Sequence, residues 1–330
     1  MNQRTFNASE ERVSEIGLGT WQLGGAEWGN VPEEEALATL HAAADAGVTF
    51  IDTADIYGLG RSEEIIGRFL AERPDRDRFF VATKLGRYPK PGGAENFTPR
   101  TIAEHTDESL RRLNVERLDL TQTHCIPPEV MQQGEVFETL ANLKQQGKIR
   151  HWGASVESMD EALMCLEHEG LASLQIIFNI FRRKPIDVLF QKAQEKNVAI
   201  IVRLPLASGV LSGKMTPDTT FAANDHRSFN RDGAQFNVGE TFAGLGFEKS
   251  VALAEKIQPL VPEGLTMAQM ALRWCLDFDA VTTVIPGARR AEQVHANASA
   301  SDLDPLSDEL HAKLAELYES QVAEHIRGVY

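Results

Sequence analysis

The chain has 330 residues, 42% of them hydrophobic and 25% charged, which allows a sizeable buried core and argues against disorder. With 33 Lys and Arg against 48 Asp and Glu, the net charge is −15; such a surface repels nucleic acid and anionic membranes, so neither is an expected partner. The three cysteines, Cys125, Cys165 and Cys275, are far apart and form no CxxC pair, which argues against a disulfide framework or a zinc site and fits a reducing compartment such as the cytoplasm.

Residues 1–14 read as a short hairpin that caps the bottom of a barrel. The first nine residues are polar, with no signal-peptide core, and no apolar run reaches the roughly 18 residues a membrane span needs. A strand at 15–19 then leads into a Gly-rich turn. Further strand-like runs follow at 49–52, 79–83, 118–124, 149–155, 174–179, 199–204 and 281–285, eight in all. They are continuously apolar, as in a parallel sheet covered on its outer face. Helical patterns at 33–46, 62–71, 99–113, 134–146, 158–169, 185–196, 267–278 and 291–298 fill the gaps. In the first, Ala36, Leu37, Leu40, Ala43 and Ala44 recur at helical spacing after Pro32. Eight β-then-α units predict a single-domain (β/α)8 TIM barrel. One segment breaks the alternation: 206–246, a long, polar, Gly-rich loop after the seventh strand, placed over the barrel mouth and followed by a helix at 247–259. Beyond Leu317 no pattern is evident.

Barrel enzymes carry their reacting groups at the C-terminal ends of the strands. Those ends supply Asp52 and, five residues on, Tyr57; then Lys84; then His124. Alone, each has a plain structural reading: a loop-capping Asp, a surface Tyr, a solvent-reaching Lys, a core His. Together at successive strand ends they suit carbonyl reduction. An alkoxide formed by hydride addition needs a proton. Tyrosine, with a pKa of about 10, is a sluggish donor, and an adjacent ammonium should lower that pKa. Asp52 would balance the lysine, and His124 would orient the carbonyl oxygen.

The chain resembles the aldo-keto reductase superfamily over nearly its whole length. The residues that carry the resemblance are 17–21 (GLGTW), 52–58 (DTADIYG), Thr83-Lys84, Asp119-Leu120 with His124, Gly153-Ala154-Ser155, Gln175, Pro205 to Gly209, Leu211 to Lys214, and Ile285 to Arg289 with Gln293 and Asn297. The resemblance implies Tyr57 as general acid, Lys84 as its pKa partner, Asp52 as the lysine's anchor and His124 as the orienter. It implies a substrate pocket of Trp21, Tyr57 and His124. It implies cofactor contacts from Thr20, Trp21, Ser155, Gln175, Arg203, Pro205, Leu206, Ser208, Gly209, Lys214, Gly287, Arg289, Gln293 and Asn297. Arg289 can pair with a 2′-phosphate, which favours NADP(H), with NAD(H) left open. The implied partner is a small carbonyl or sugar-like substrate; the oligomeric state is open.

Several positions depart from the common family pattern. Val156 stands where many members have Asn, Arg203 where an aromatic stacks on nicotinamide, and Gly287-Ala288 where many have Lys-Ser. Cys125-Ile126 leaves a less bulky pocket wall. Histidine at 124 rather than Glu favours carbonyl over double-bond reduction. Two other readings stay open: an NAD(P)-dependent sugar or polyol dehydrogenase, and a cofactor-sensing regulatory subunit with little turnover. The loops 24–31, 87–97, 125–131 and 206–246, with the C-terminal tail as a further candidate, should hold the substrate contacts, and Trp28, Tyr88 and Phe97 hint at an aromatic-lined pocket.

Overall fold

The apolar runs form the staves of a parallel barrel in the computed structural model, which describes residues 1–7, 11–25 and 31–330. Strands β3 (Leu18–Gly19), β4 (Phe50–Asp52), β5 (Phe80–Leu85), β6 (Leu118–His124), β7 (Ile149–Ser155), β8 (Ser173–Ile177), β9 (Ala199–Arg203) and β10 (Val281–Val284) pair in chain order. Parallel bridges from Ile16 to Val284 and from Gly19 to Gly287 join the first stave to the last. The seam is tight: a Cβ at Gly19 would stand 2.9 Å from the Ile285 carbonyl oxygen. The eight expected strands are thus all present, and the fold is the expected (β/α)8 barrel.

The hairpin at the start is present too, as β1 (Gln3–Phe6) paired antiparallel with β2 (Glu11–Ser14). Phe6 is fully buried against Phe80 and Phe50, with ring centroids 4.6 and 6.4 Å away. These two rings open β5 and β4, so the hairpin plugs the end where strands begin, a burial worth about 1.5–3 kcal/mol for one such side chain. The guanidinium of Arg4 donates to the Val281 and Leu276 carbonyls and holds the plug in place.

The helices are α1 (Trp21–Gly24), α2 (Glu33–Asp45), α3 (Arg61–Glu72), α4 (Pro99–Leu113), α5 (Pro128–Gln133), α6 (Glu135–Gln145), α7 (Met159–Leu166), α8 (Pro185–Val188), α9 (Phe190–Glu195), α10 (His226–Phe229), α11 (Phe247–Ile257), α12 (Met267–Leu276), α13 (Ala291–Ala298) and α14 (Asp308–Gln321). Two differ from expectation. The single helix expected at 185–196 is interrupted at Leu189, whose φ of −116° leaves the helical range. No helix was expected after 291–298, yet α14 forms, and the tail beyond Leu317 holds only its last turn. Ser307 caps it by accepting from the Leu310 N–H, and Leu310, Leu314 and Leu317 bury one face at helical spacing. No helix among the described residues is long and apolar enough to cross a membrane.

Candidate active site

Four strand ends bring their polar side chains to one point. Lys84, at the top of β5 and fully buried, donates all three ammonium hydrogens: to Asp52 Oδ1 at 2.7 Å, to the Thr53 carbonyl at 2.8 Å and to the Tyr57 hydroxyl at 3.3 Å. Tyr57 is presented by the turn after β4, where its N–H donates to the Ala54 carbonyl. The other Asp52 oxygen accepts from Gln175 Nε2 on β8, also at 2.7 Å. His124, closing β6, lies edge-on to Tyr57 with ring centroids 6.0 Å apart. Its Nδ1 is buried with no hydrogen-bond partner among the described residues.

The electrostatics correct one expectation. Burial raises the Tyr57 pKa more than the Lys84 charge lowers it, so the phenol lies above its ordinary value, not below. Burial alone would pull Lys84 down, but Asp52 and Tyr57 hold its ammonium above the usual range. Burial, then the charges of Arg87, Lys84 and Arg203, pushes His124 well below its ordinary value. At neutral pH the site therefore holds a protonated phenol, an ammonium and a neutral imidazole.

Over this group runs one continuous cleft of about 1920 Å³. That exceeds the roughly 300–1,000 Å³ of a pocket for a single small ligand and suits a dinucleotide plus a second molecule. Thr20, Trp21, Gln175, Arg203, Pro205, Leu206, Ser208, Gly209, Lys214, Gly287, Arg289 and Gln293 all line it. Gly287 leaves room for the Gln22 amide: a Cβ there would stand 2.2 Å from it and make that side chain move. Trp21 stacks on Tyr57 at 6.0 Å, and His226 and Phe236 of the long loop pack against it at 4.8 and 6.1 Å. Tyr88 and Phe97 also face the cleft, while Trp28 lies outside the described residues.

Not every expected contact reaches the cleft. Ser155 is buried behind the wall, its hydroxyl 3.7 Å from Cys125 Sγ. Ser208 lines the cleft, but its hydroxyl is engaged, donating to the Glu240 carbonyl and accepting from the Phe242 N–H. Asn297 sits half-buried one turn beyond Gln293 on α13 and is not part of the cleft wall.

The residues present fit the phosphates of a dinucleotide. Lys214 and Arg289 put two cations on the cleft wall of a strongly acidic chain. Gln293 braces the Arg289 backbone, its Oε1 accepting that N–H at 2.8 Å. Both residues stand at the N-terminus of α13, the end of a helix that favours an anion.

A charged group at the mouth escaped sequence reasoning. Arg87, three residues past Lys84, faces Glu157, two past Ser155, at 3.0 Å; Glu240 of the long loop lies 3.5 Å from Arg203. Arg87 and Glu157 follow strand ends, a signal that was available; Glu240 lies mid-loop and had none. Donor atoms of Cys125, Glu157 and Glu240 lie within 4.8 Å of one another. The two guanidiniums already balance these carboxylates and would repel a metal cation.

Comparison with known proteins bears on the family and the fold. A family model described as the aldo/keto reductase family matches residues 15–319. The aldo-keto reductase YhdN of Bacillus subtilis (strain 168) is 32% identical over 86% of this chain and 84% of its own length. The NADH-specific methylglyoxal reductase of Escherichia coli (strain K12) is 29% identical over 93% of this chain and 95% of its own. The solved structure of glycerol dehydrogenase AKR11B4 from Gluconobacter oxydans superimposes with a TM-score of 0.79 at 31% identity, covering 99% of this chain and 98% of that one.

Proposed function

The chain belongs to the aldo/keto reductase family, and from that premise we propose that it is an NADP(H)-dependent oxidoreductase that reduces aldehydes, ketones or sugar-like carbonyls to alcohols, with Tyr57 as general acid. The observation that carries this reading is the buried Asp52–Lys84–Tyr57 chain opening beside His124 into a dinucleotide-sized cleft. The bound cofactor supplies the hydride. Tyr57 holds its proton at neutral pH and gives it to the nascent alkoxide. Lys84, 3.3 Å away, stabilises the phenolate that is left. Asp52 keeps the lysine charged in a dry site, and neutral His124 orients the carbonyl oxygen.

Lys214 and Arg289 support NADP(H) over NAD(H), through charge-assisted hydrogen bonds to a 2′-phosphate. One relative is named NADH-specific, so the comparison has to be made on this chain. The Arg87–Glu157 wall favours a small polar substrate, in keeping with relatives named for methylglyoxal and glycerol. It equally supports a second reading, oxidation of a polyol or sugar in the reverse direction. Three free cysteines support a reducing, cytoplasmic setting.

The test is the loss of NADPH or NADH absorbance with methylglyoxal, glyceraldehyde and an activated aromatic aldehyde, in wild type and Tyr57→Phe. Turnover that falls by about 10²–10⁴-fold with cofactor binding retained is the expected result. Tight NADPH binding without turnover of any carbonyl or polyol would favour a regulatory subunit instead.

A further inference from the structure

The end of β9 sets a cation where the fold leaves little room for one. Any ring that delivers hydride to a carbonyl held between Tyr57 and His124 must lie close to Arg203. This guanidinium donates to the Val156 carbonyl at 3.1 Å and stands 3.6 Å from Cys125 Sγ, the neighbour of His124. Its charge is felt at both His124 and Asp52. A reduced nicotinamide ring is neutral, whereas an oxidised one carries a positive charge. An unbalanced guanidinium would therefore admit the first and resist the second, and burial strengthens that bias.

The long loop supplies the balance. Glu240 is buried, with one oxygen 3.5 Å from Arg203 Nη1 and the other 3.7 Å from Arg87 Nη2. Burial alone would raise its pKa, but Arg203 and Arg87 outweigh burial and keep it ionised. Arg87 also has Glu157, 3.0 Å away, whereas Glu240 is the carboxylate paired with Arg203 among the described residues. Burial and the nearby Glu240 raise Glu157 to about 7, which makes Glu240 the dependable negative charge of the group. The backbone around Glu240 is pinned by Ser208, whose hydroxyl donates to the Glu240 carbonyl and accepts from the Phe242 N–H, both at 3.1 Å.

We propose that Glu240 is the counter-charge that lets the Arg203 site bind the oxidised as well as the reduced nicotinamide cofactor, so that its loss selectively weakens the oxidised form. The proposal rests on the cofactor reading above and deepens it. Glu240 acts through Arg203 and is a positioning residue, one that sets the redox-state preference of the site. A purely structural role, holding the loop over the cleft, would weaken both cofactor forms alike.

The experiment measures dissociation constants of NADP+ and NADPH by protein fluorescence quenching in wild type, Glu240→Gln, Arg203→Gln and the double variant. Glu240→Gln should raise the NADP+ constant about tenfold or more and the NADPH constant less than about threefold. Arg203→Gln should move the ratio the other way and gives the sign of the effect even if Glu240→Gln fails to fold. The double variant should return the ratio to within about threefold of wild type, since both charges leave together. Equal weakening of both forms, or an unmoved ratio, overturns the proposal while leaving the cofactor reading intact. Wild-type protein that binds neither form overturns both.

Discussion

Asp52 and Gln175 lie 123 positions apart in the chain, on β4 and β8, and are joined across the barrel mouth by a 2.7 Å hydrogen bond. With Lys84 on the opposite oxygen, the Asp52 carboxylate is gripped from both sides in a fully buried setting. The bond ties two non-adjacent staves to one charge.

This arrangement makes a stability prediction. Asp52→Asn leaves the Lys84 ammonium buried without its counter-charge, and breaking such a pair costs about 3–5 kcal/mol. Urea unfolding should show a loss of that order, whereas Asp52→Leu combined with Lys84→Met should lose far less, since both charges are removed. A single variant within about 1 kcal/mol of wild type would mean that water or a rearranged partner satisfies the lysine.

The proton inventory predicts the pH profile. The Tyr57 pKa is raised, chiefly by burial, so the acid form persists through neutrality and the reduction limb should fall only above about pH 10. His124 is pushed well below its ordinary value, so the imidazole is already neutral above about pH 6.5. Apart from one step near 7, kcat/KM for reduction should be flat between these limits. An inflection near 7 belongs to Glu157 and should vanish in Glu157→Gln. One that survives that substitution refutes the assignment of Tyr57 as the titrating acid.

The barrel was legible in the sequence because each strand is a short apolar run and each helix an amphipathic one. The hairpin was legible from its place before the first stave. Asp52, Tyr57, Lys84 and His124 could be placed because strand ends converge in this fold. What the residues alone could not convey was the balance of two opposing effects at Tyr57. The ammonium was visible in the sequence, but the degree of burial that outweighs it depends on how Trp21 and the long loop close over the phenol. Glu240 was illegible for a related reason: it lies 37 residues past Arg203 within the long loop, and only the fold of that loop brings it back to Arg203 and to Arg87 after β5. The α14 helix was missed although Leu310, Leu314 and Leu317 stand at helical spacing behind the capping Ser307.

Cofactor preference should depend on Arg289. If it pairs with a 2′-phosphate, Arg289→Ala removes one or two charge-assisted bonds, each worth about 1.5–3 kcal/mol. Binding of NADPH should then weaken about tenfold to about 10⁴-fold, with little change for NADH. Calorimetric titration with both cofactors decides the matter. Equal losses for the two would place Arg289 on the adenosine or pyrophosphate instead.

A last prediction concerns Asp55, a buried carboxyl in the same turn as Tyr57. Burial, reinforced by the neighbouring Glu63 and only partly opposed by Arg112, raises its pKa from 3.8 to about 8. The nearest imidazole nitrogen, His105 Nδ1, is 3.9 Å away, and Glu63 is already committed to Arg112 at 2.6 Å. The folded chain therefore retains a proton that the unfolded chain releases above about pH 4. Stability falls with pH wherever the native state binds more protons, so this group should cost stability progressively from about pH 4 to about pH 8. Asp55→Asn keeps the shape and removes the titration. Its melting temperature should match wild type near pH 4 and exceed it by a few degrees at pH 8, a gap that opens across that window. A difference that stays constant with pH would show that Asp55 is ionised in the folded protein and that Arg112, despite its pairing with Glu63, supplies the compensating charge.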